Sequence, residues 1–448
     1  MTTEIILVKA GQLILSLSIL VVLHEFGHFI PAKLFKTRVE KFYLFFDPWF
    51  SLFKFKPKNG ETEYGIGWLP LGGYVKISGM IDESMDKEQM SKPPEPWEFR
   101  SKPAWQRLII MIGGVTVNIL LAFFIYAMLL WHYGETYLPN ANVKYGVVVD
   151  SLGKSIGMRD GDKILSLDNR PIDNFGSIPS EVILKEVKSI QVERGGQQLN
   201  LPIPDGFVRA LLKQKSPFAA PLVPFFVDSI IGGSVASKIG LQKGDRLIAL
   251  NGQSLPYANQ FNKEIRKHKN EAVQVGILRG TDSLTLNAQL TNESVLGVYP
   301  KDPFEYNTKH FTFLQSFPAG FHKGIDKLKE YVSQLRLIFV SKEVKMSESL
   351  GGFGSIANLF PEAWDWGAFW QLTAFLSIVL AFMNILPIPA LDGGHVLFLI
   401  YEIVTGRKPS EKFLEYAQVA GMIILLGLLL LANGLDIWRG ISKFFTKG

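Results

Sequence analysis

Long apolar runs and short alternating runs occupy different parts of this 448-residue chain. Four of the apolar runs reach the length of about 20 residues that a helix needs to cross a bilayer. They are Ile5–Leu23 with one charge at Lys9, Ile109–Trp131, Gly367–Leu391 and Tyr416–Leu435. The pattern therefore predicts a polytopic α-helical membrane protein with four transmembrane helices.

Between the second and third apolar runs, short β-rich stretches alternate with Gly and Asp turns. Gly157–Ile172 matches Gly240–Leu255 at an offset of 83 residues, and both copies combine a Gly-Asp turn with an alternating strand. A period of about 80 residues indicates a tandem pair of domains rather than a solenoid. We expect two inserted α+β domains, at residues 143–220 and 221–303, and both resemble the PDZ domain.

Two further segments have patterns of their own. Residues 65–79 mix Gly and Pro with β-formers, which favours a membrane-associated β element, since irregular backbone beside lipid must be buried in protein or line a cavity. Residues 311–340 carry apolar positions at helical spacing, which predicts an amphipathic helix near the outer membrane surface.

The remaining predicted segments are 1–35 (transmembrane helix 1), 36–107 (cytoplasmic loop with the β element), 108–132 (helix 2), 304–366 (amphipathic helix and membrane-reentry segment), 367–400 (helix 3) and 416–436 (helix 4).

Composition agrees with this mixture of spans and water-facing domains. Hydrophobic residues make up 47% and charged residues 20% of the chain, which is too apolar for a wholly soluble protein. The absence of cysteine excludes disulfides, cysteine zinc sites, iron–sulfur clusters and thiol catalysis. The net charge of +6 is modest for this length, so we expect no nucleic-acid partner, and orientation of the spans is the simpler use of the charge.

Basic residues near the ends of the spans predict their orientation. They cluster after the first run, before the second and after the third, at Lys33, Lys36, Arg38, Lys41, Arg100, Lys102, Arg107, Arg407, Lys408 and Lys412. The loop between the first and second runs and the loop between the third and fourth runs should therefore be cytoplasmic. This orientation places the N-terminus, residues 132–366 and the C-terminus on the outer side.

The strongest chemical signal is the His-Glu-Phe-Gly-His sequence at residues 24–28. On a helix, His24 and His28 lie one turn apart on the same face and can reach one metal ion, while Glu25 beside them can take a proton from water. Zinc fits best, because it favours nitrogen ligands and three protein ligands leave a position open for water. The alternative is two histidines at the membrane edge beside a glutamate, but ionisable groups at the end of an apolar span indicate function.

A third ligand is needed, and Asp392 in the Leu-Asp-Gly-Gly-His sequence that follows the third run is the candidate. The first and third spans are both predicted to enter from outside, so that His24, after about 20 residues, and Asp392, after about 25, lie in the cytoplasmic half of the bilayer. Two prolines just before Asp392 should break the helix where backbone lines a wet cavity. The alternatives are a plain helix-end carboxylate at Asp392 and ligation by His395.

These residues together resemble the site-2 protease family, and its bacterial branch of regulator-of-sigma-E proteases in particular. The shared features are His-Glu-x-x-His in the first span, Asn-x-x-Pro-x-Pro-x-Leu-Asp-Gly-Gly in the third and the tandem PDZ-like domains. The resemblance implies an intramembrane zinc metalloprotease with one zinc ion per chain. His24, His28 and Asp392 would be the metal ligands, and Glu25 the general base and acid.

The resemblance also implies partners and a location. Family members cleave within the transmembrane helix of a single-span substrate, typically an anti-sigma factor already cut on the outside, and remnant signal peptides are a second substrate class. The chain would lie in the lipid bilayer of the bacterial cytoplasmic (inner) membrane. Its PDZ-like domains would be periplasmic, and its active site would lie towards the cytoplasmic side.

Substrate-binding residues are likewise implied by the resemblance. Residues 70–76 resemble the family's membrane-embedded β element, which is thought to hold the substrate as an added strand. Strand addition makes physical sense, because a helical peptide bond must be unwound before hydrolysis and an added strand finds new backbone partners. The candidates for substrate binding are Gly72, Gly73, Tyr74, Asn384 and Asn118. For Asn384, the polarity of an ordinary helix residue is the alternative.

Other functions remain open from the sequence. A non-enzymatic membrane scaffold would bind exported peptides through the PDZ-like pair and would close the metal site with a fourth ligand such as His395. A metal transporter is not favoured, since the fourth run carries only Gln418 and Asn433 as polar side chains. For the PDZ-like pair, we expect a size filter that excludes bulky substrates rather than a site for a new C-terminus. The first copy has five fewer residues than the second before its Gly-x-x-x-Gly-Asp turn, so its peptide groove is shortened.

Overall fold

The computed structural model separates into two compact units. The described residues are 3–445 except 71, 81–92, 215–216, 294 and 341–350. Outside them lie Leu71 of the predicted β element and parts of the predicted segments 36–107, 143–220, 221–303 and 304–366. Met1–Gly134 and His310–Gly448 together form the membrane unit, and Glu135–Lys309 forms the inserted unit.

Long helices dominate the membrane unit because its sequence consists largely of long apolar runs. Numbered in chain order through both units, its helices are α1 (Thr3–Leu34), α2 (Ala104–Tyr133), α8 (Phe313–Val340), α9 (Phe353–Ala357), α10 (Trp366–Ile385), α11 (Asp392–Thr405) and α12 (Glu411–Phe445). Over the described part of the chain, α1, α2, α10 and the Glu411–Arg439 part of α12 are long and apolar enough to cross a membrane. The expectation of four apolar helices is confirmed.

The third apolar run is not one helix, which differs from the expected helix over 367–400. Helix α10 ends at Ile385, and the chain restarts as α11 at Asp392. Two prolines interrupt the helix, since proline lacks the amide hydrogen that a helix interior needs. Ala390 then takes a left-handed backbone conformation with φ of 74°. Since α10 ends at Ile385 and the next helix begins only after Ala390, Asp392 is the first residue of a helix and not the last.

Helices α1 and α2 cross at very close range. A Cβ atom on Gly27 would lie 2.4 Å from the carbonyl oxygen of Gly113, and one on Gly113 would lie 1.9 Å from that of Gly27. Small residues permit such backbone contact between helices in a membrane. Helix α10 joins the same bundle through a buried hydrogen bond of 3.0 Å from Thr373 Oγ1 to Ser16 Oγ of α1.

The loop after α1 forms a four-stranded sheet with the order β2–β3–β1–β4. Its strands are β1 (Val39–Leu44), β2 (Phe46–Phe55), β3 (Glu63–Leu69) and β4 (Tyr74–Ile77). Strand β1 runs parallel to β3 and antiparallel to β4, with Phe42 opposite Val75. Strand β4 ends the sheet, so its second edge has no strand partner among the described residues.

The predicted amphipathic helix is present as α8 and packs lengthwise on the bundle. Gly320 lies against α2, where an added Cβ would come 2.5 Å from the backbone nitrogen of Ala127. The ring of Tyr331 meets that of Phe382 on α10 with centroids 5.6 Å apart. One face of α8 is therefore buried by other helices, and its place relative to a membrane surface stays a prediction.

The inserted unit is built from short strands around two hydrophobic cores. Its strands are β5 (Glu135–Tyr137), β6 (Val147–Val149), β7 (Lys163–Leu167), β8 (Arg170–Pro171), β9 (Ser189–Arg194), β10 (Gln197–Pro202), β11 (Ala219–Pro221), β12 (Phe225–Ile230), β13 (Arg246–Leu250), β14 (Gln253–Ser254), β15 (Ala272–Arg279), β16 (Asp282–Gln289), β17 (Val298–Pro300) and β18 (Asn307–Lys309). Its helices are α3 (Ser151–Ser155), α4 (Ile178–Leu184), α5 (Phe207–Lys213), α6 (Val235–Lys238) and α7 (Ala258–Ile265). The first half pairs β10–β9–β7–β8 and β11–β6, and the second pairs β16–β15–β13–β12–β17, with β14 beside β13.

The same ion pair, between a buried aspartate and a partly exposed arginine, occurs in both halves of the inserted unit. Arg194 donates to both carboxylate oxygens of Asp162 at 2.7 Å. Arg279 does the same to Asp245, at 2.8 and 2.7 Å. Both aspartates belong to the Gly-Asp turns that reveal the repeat, so the sequence repeat corresponds to a repeated contact. The likeness of each half to a PDZ domain stays a prediction.

The first core extends beyond the bounds expected from the sequence. Leu138 belongs to it and Phe304 packs against it, although both lie outside residues 143–220. The reason is that β5 and β18 pair in antiparallel fashion, which brings the entry and exit of the inserted unit together.

Candidate metal centre

His24 and His28 occupy the buried face of α1, with exposures of only 8% and 7%. A helix places residues four apart on one face, and the two Nε2 atoms are 3.3 Å apart. The His28 Nδ1 atom lies 2.9 Å from the carbonyl oxygen of Ile110. A carbonyl can only accept, so Nδ1 carries the hydrogen in neutral His28 and Nε2 keeps its lone pair.

Asp392 reaches the two histidines from the other end of the chain. Its Oδ2 atom lies 3.3 Å from Nε2 of His24 and 3.3 Å from Nε2 of His28. Over the part of the chain that the structure describes, this buried oxygen has no hydrogen bond. The structure thus brings together the three residues that the sequence predicted as ligands.

The two glycines after Asp392 are a steric requirement of its position. A Cβ on Gly393 would lie 2.2 Å from the carbonyl oxygen of Leu386, and one on Gly394 would lie 2.6 Å from that of Ile388. Any side chain here would push α11 away from the loop before it. The Leu-Asp-Gly-Gly sequence therefore forms the closely packed beginning of α11, where Asp392 is the first helical residue and the two glycines lie against the preceding loop.

The size and chemistry of this group fit zinc. Its three ligand atoms form a triangle with sides of 3.3 Å. Zinc bonds to nitrogen and oxygen of about 2.0–2.1 Å in a tetrahedron place neighbouring ligand atoms about 3.3–3.4 Å apart. A buried carboxylate oxygen and imidazole lone pairs at this range repel each other unless a cation or proton lies between them. Over the described residues, this is the only group of three or more His, Asp or Glu side chains placed to share a metal ion.

A cavity of about 690 Å³ opens beside the three ligand atoms. Residues of α1, α2, the four-stranded sheet, α10, α11 and α12 line it, and Glu25 is among them. Glu25 also faces the sheet, since its Cγ would lie 3.6 Å from a Cβ placed on Gly73. The cavity therefore adjoins a candidate proton acceptor, a candidate metal site and β4, the strand at the edge of the described sheet.

The predicted substrate-binding residues of the sheet lie on this cavity. Gly72, Gly73 and Tyr74 all line it. A side chain at Gly73 is excluded, because its Cβ would come 2.6 Å from the carbonyl oxygen of Tyr43. The hydroxyl of Tyr74 donates to Asp47 Oδ1 at 2.8 Å, which holds the start of β4 against the rest of the sheet.

Of the other predicted residues, two line the cavity and one does not. Asn384 lines the cavity, with Nδ2 3.3 Å from His24 Nε2. His395 also lines the cavity but is not part of the three-residue group. Asn118 is fully buried, its amide lies 3.1 Å from His24 Nδ1, and it is absent from the described cavity lining. It therefore lies behind the metal group rather than facing the cavity.

Sequence reasoning missed two residues that shape the site. Gly114 lies directly against the imidazoles, since a Cβ there would be 2.4 Å from His28 Nε2. Gln418 of α12 accepts a hydrogen bond from the backbone nitrogen of Ala390 at 3.1 Å, two residues before Asp392. A glycine within an apolar run does not stand out by its spacing, so Gly114 could not be recognised from the sequence pattern. For Gln418, its rarity as a polar residue in the fourth run was the available signal.

Comparison with known proteins adds an independent observation. The model of Peptidase family M50 matches residues 12–428. Protease RseP of Yersinia pestis is 29% identical over 470 residues, which cover 98% of this chain and 99% of its own. Regulator of sigma-E protease RseP of Salmonella typhimurium is 28% identical over 468 residues, with the same coverage. A Neisseria meningitidis protein with a zinc metalloprotease name is 27% identical over 452 residues, or 95% of this chain and 98% of its own.

Proposed function

This chain belongs to peptidase family M50 and is a zinc metalloprotease of the site-2 type, and we propose that it hydrolyses peptide bonds within the transmembrane segments of single-span proteins. The observation that carries the proposal is the 3.3 Å triangle of ligand atoms inside a unit of membrane-length helices. A site with three protein ligands leaves a coordination position open for chemistry.

In this proposal, His24, His28 and Asp392 hold one zinc ion per chain. Zinc bound there supplies Lewis acidity, which acidifies water and polarises a carbonyl oxygen. Glu25 is the general base that takes the proton of the attacking water, and it then returns a proton to the nitrogen of the leaving amine. Its place on the cavity wall beside β4 supports this role.

The edge of β4 presents the substrate in extended form. A peptide bond in a helix has its N–H and C=O groups engaged within the helix, so the segment must unwind before its carbonyl can be attacked. The second edge of β4, which pairs with no other described strand, offers backbone partners to the unwound segment. Tyr74 begins this strand and Gly72 and Gly73 directly precede it, and in this proposal Asn384, which also lines the cavity, contacts the substrate backbone.

The substrate classes are proposed from the sequence resemblance and from relatives whose names call them regulators of sigma-E. They are an anti-sigma factor after a first cut on the outside, and remnant signal peptides. The chain is a multi-pass membrane protein. We place it in the inner membrane with the active site towards the cytoplasm and the inserted unit, acting as a size filter, in the periplasm.

A structural metal in a non-enzymatic scaffold is the competing function. It predicts a closed site with a fourth protein ligand. The described residues supply three members, and His395 is not among them. This arrangement favours the protease.

The decisive experiment replaces Glu25 by Gln in the purified full chain. Zinc content should stay at the wild-type level, because the ligands are untouched. Cleavage of a model transmembrane substrate in detergent should fall by about 10²–10⁴-fold, the usual contribution of a general base. Glu4→Gln, the other carboxylate of α1, is the matched control and should cleave normally. Wild-type cleavage by Glu25→Gln would overturn the proposed mechanism.

A further inference from the structure

Helix α2 forms a wall behind both histidines through one of its faces. Positions 110, 114 and 118 are four residues apart and therefore share that face. The carbonyl oxygen of Ile110 lies 2.9 Å from His28 Nδ1. The missing side chain of Gly114 leaves room for the imidazoles. The amide of Asn118 lies 3.1 Å from His24 Nδ1.

The two imidazoles are thus held from behind by different groups. A carbonyl oxygen can only accept, so Ile110 forces the hydrogen of neutral His28 onto Nδ1 and leaves Nε2 free for a metal. Asn118 can act in two ways, because its amide offers a donor on one side and an acceptor on the other. Only the acceptor, Oδ1, would leave His24 Nε2 free in the same way.

The side-chain oxygen of Asn118 is also unsatisfied. The residue is completely buried, and its Oδ1 atom has no hydrogen-bond partner among the described residues, while Nδ2 is the atom nearest to His24 Nδ1. A rotation of the side-chain amide by 180° would exchange Oδ1 and Nδ2, which have almost the same size. Oδ1 would then accept the hydrogen of His24 Nδ1. Its backbone is anchored, since Ser377 Oγ donates to the Asn118 carbonyl at 2.7 Å.

We propose that Asn118 is a positioning residue for the metal site: its side-chain oxygen accepts the Nδ1 hydrogen of His24 and so keeps Nε2 of that ring available as a ligand. This inference rests on the proposed function, since it assumes that His24 binds zinc. It differs from a substrate-binding role, because Asn118 is shielded from the cavity by His24. Metal-ligating histidines usually donate a hydrogen bond from the N–H of their second ring nitrogen to such an acceptor.

The test measures zinc affinity by chelator competition in the purified full chain, which needs no proteolysis. Asn118→Leu keeps the size but removes the acceptor, and it should bind zinc about 10–100-fold more weakly than wild type. Asn118→Asp keeps an acceptor towards His24 and should rescue affinity to near the wild-type value. Thr373→Val removes another fully buried polar group of the same bundle without touching His24, and it should bind zinc normally.

The outcomes separate this inference from the proposed function. A wild-type protein without zinc affinity would contradict the metal site itself. Normal zinc affinity in Asn118→Leu would contradict the inference alone. Equal losses in Asn118→Leu and Asn118→Asp would show that acceptance by this side chain is not what matters. If Asn118→Leu does not fold, Asn118→Ala, which also removes the acceptor, takes its place in the same comparison, and normal zinc affinity in Asn118→Ala would contradict the inference.

Discussion

The two units differ in how they satisfy the buried carboxylate oxygens of their aspartates. Asp162 and Asp245 of the inserted unit are each 1% exposed, and each receives two hydrogen bonds from one guanidinium. Asp392 of the membrane unit faces two imidazoles at 3.3 Å, and among the described residues its Oδ2 finds no hydrogen bond. A carboxylate that its own chain satisfies holds a fold together. One that is buried and left unsatisfied beside two other ligands is suited to bind something from outside.

The largest effect is expected from removing the unsatisfied carboxylate. Asp392→Ala should reduce the zinc content of the purified protein from about one per chain towards zero and abolish cleavage, because two histidines alone make an incomplete site. Unfolding of the inserted unit should be unchanged. Metal analysis measures the zinc content, and a cleavage assay measures the activity. Asp365→Ala, which removes only the N-cap of α10, is the control, and a zinc-replete Asp392→Ala protein would refute the ligand assignment.

A smaller effect is expected from crowding the metal group without changing a ligand. The added methyl of Gly114→Ala would lie 2.4 Å from His28 Nε2, so the imidazoles must shift and zinc affinity should fall by about 10–100-fold. Gly11→Ala on α1, where a Cβ would meet nothing within 4 Å, should leave affinity unchanged. Competition with a chelator compares the two. Equal affinities would show that the close approach of α2 has no role in shaping the site.

The smallest effect on the metal site is expected from breaking a satisfied carboxylate. Hydrogen bonds from Arg279 hold the pKa of Asp245 below its ordinary value. Because the folded state binds the proton less readily than the unfolded one, this stabilisation is complete above about pH 4 and is lost as the pH falls further. Asp245→Asn should lower the thermal midpoint of the inserted unit at neutral pH and weaken its acid dependence, with zinc content unchanged.

Circular dichroism of the β-sheet signal during heating, from neutral pH to about pH 3, measures this difference. Asp228→Asn is the matched control, since Asp228 forms an exposed ion pair with Lys243 in the same unit. Such pairs contribute little to stability. If the two variants unfold alike at every pH, the buried pair is not what stabilises the repeat.

Local spacing explains which parts of the molecule could be predicted from the sequence. Apolar runs predicted four long helices, because a helix that crosses a bilayer needs a minimum length. The pairing of His24 with His28 followed from the helical period. The position of the break before Asp392 was predicted only roughly, since prolines forbid a helix but do not determine where the preceding turn ends. Helix α8 was predicted as a helix, but its packing on α2 was not.

The sequence by itself determined the chemistry that is available: two histidines one turn apart, a glutamate between them and an aspartate in a glycine-rich turn, without cysteine to compete as a ligand. Only the tertiary structure decided that three ligand atoms stand 3.3 Å apart, and that Gly114 and Asn118 lie behind them. The physical reason is distance along the chain. Local periodicity orders residues within a helix, whereas contacts between helices depend on packing that no short pattern records.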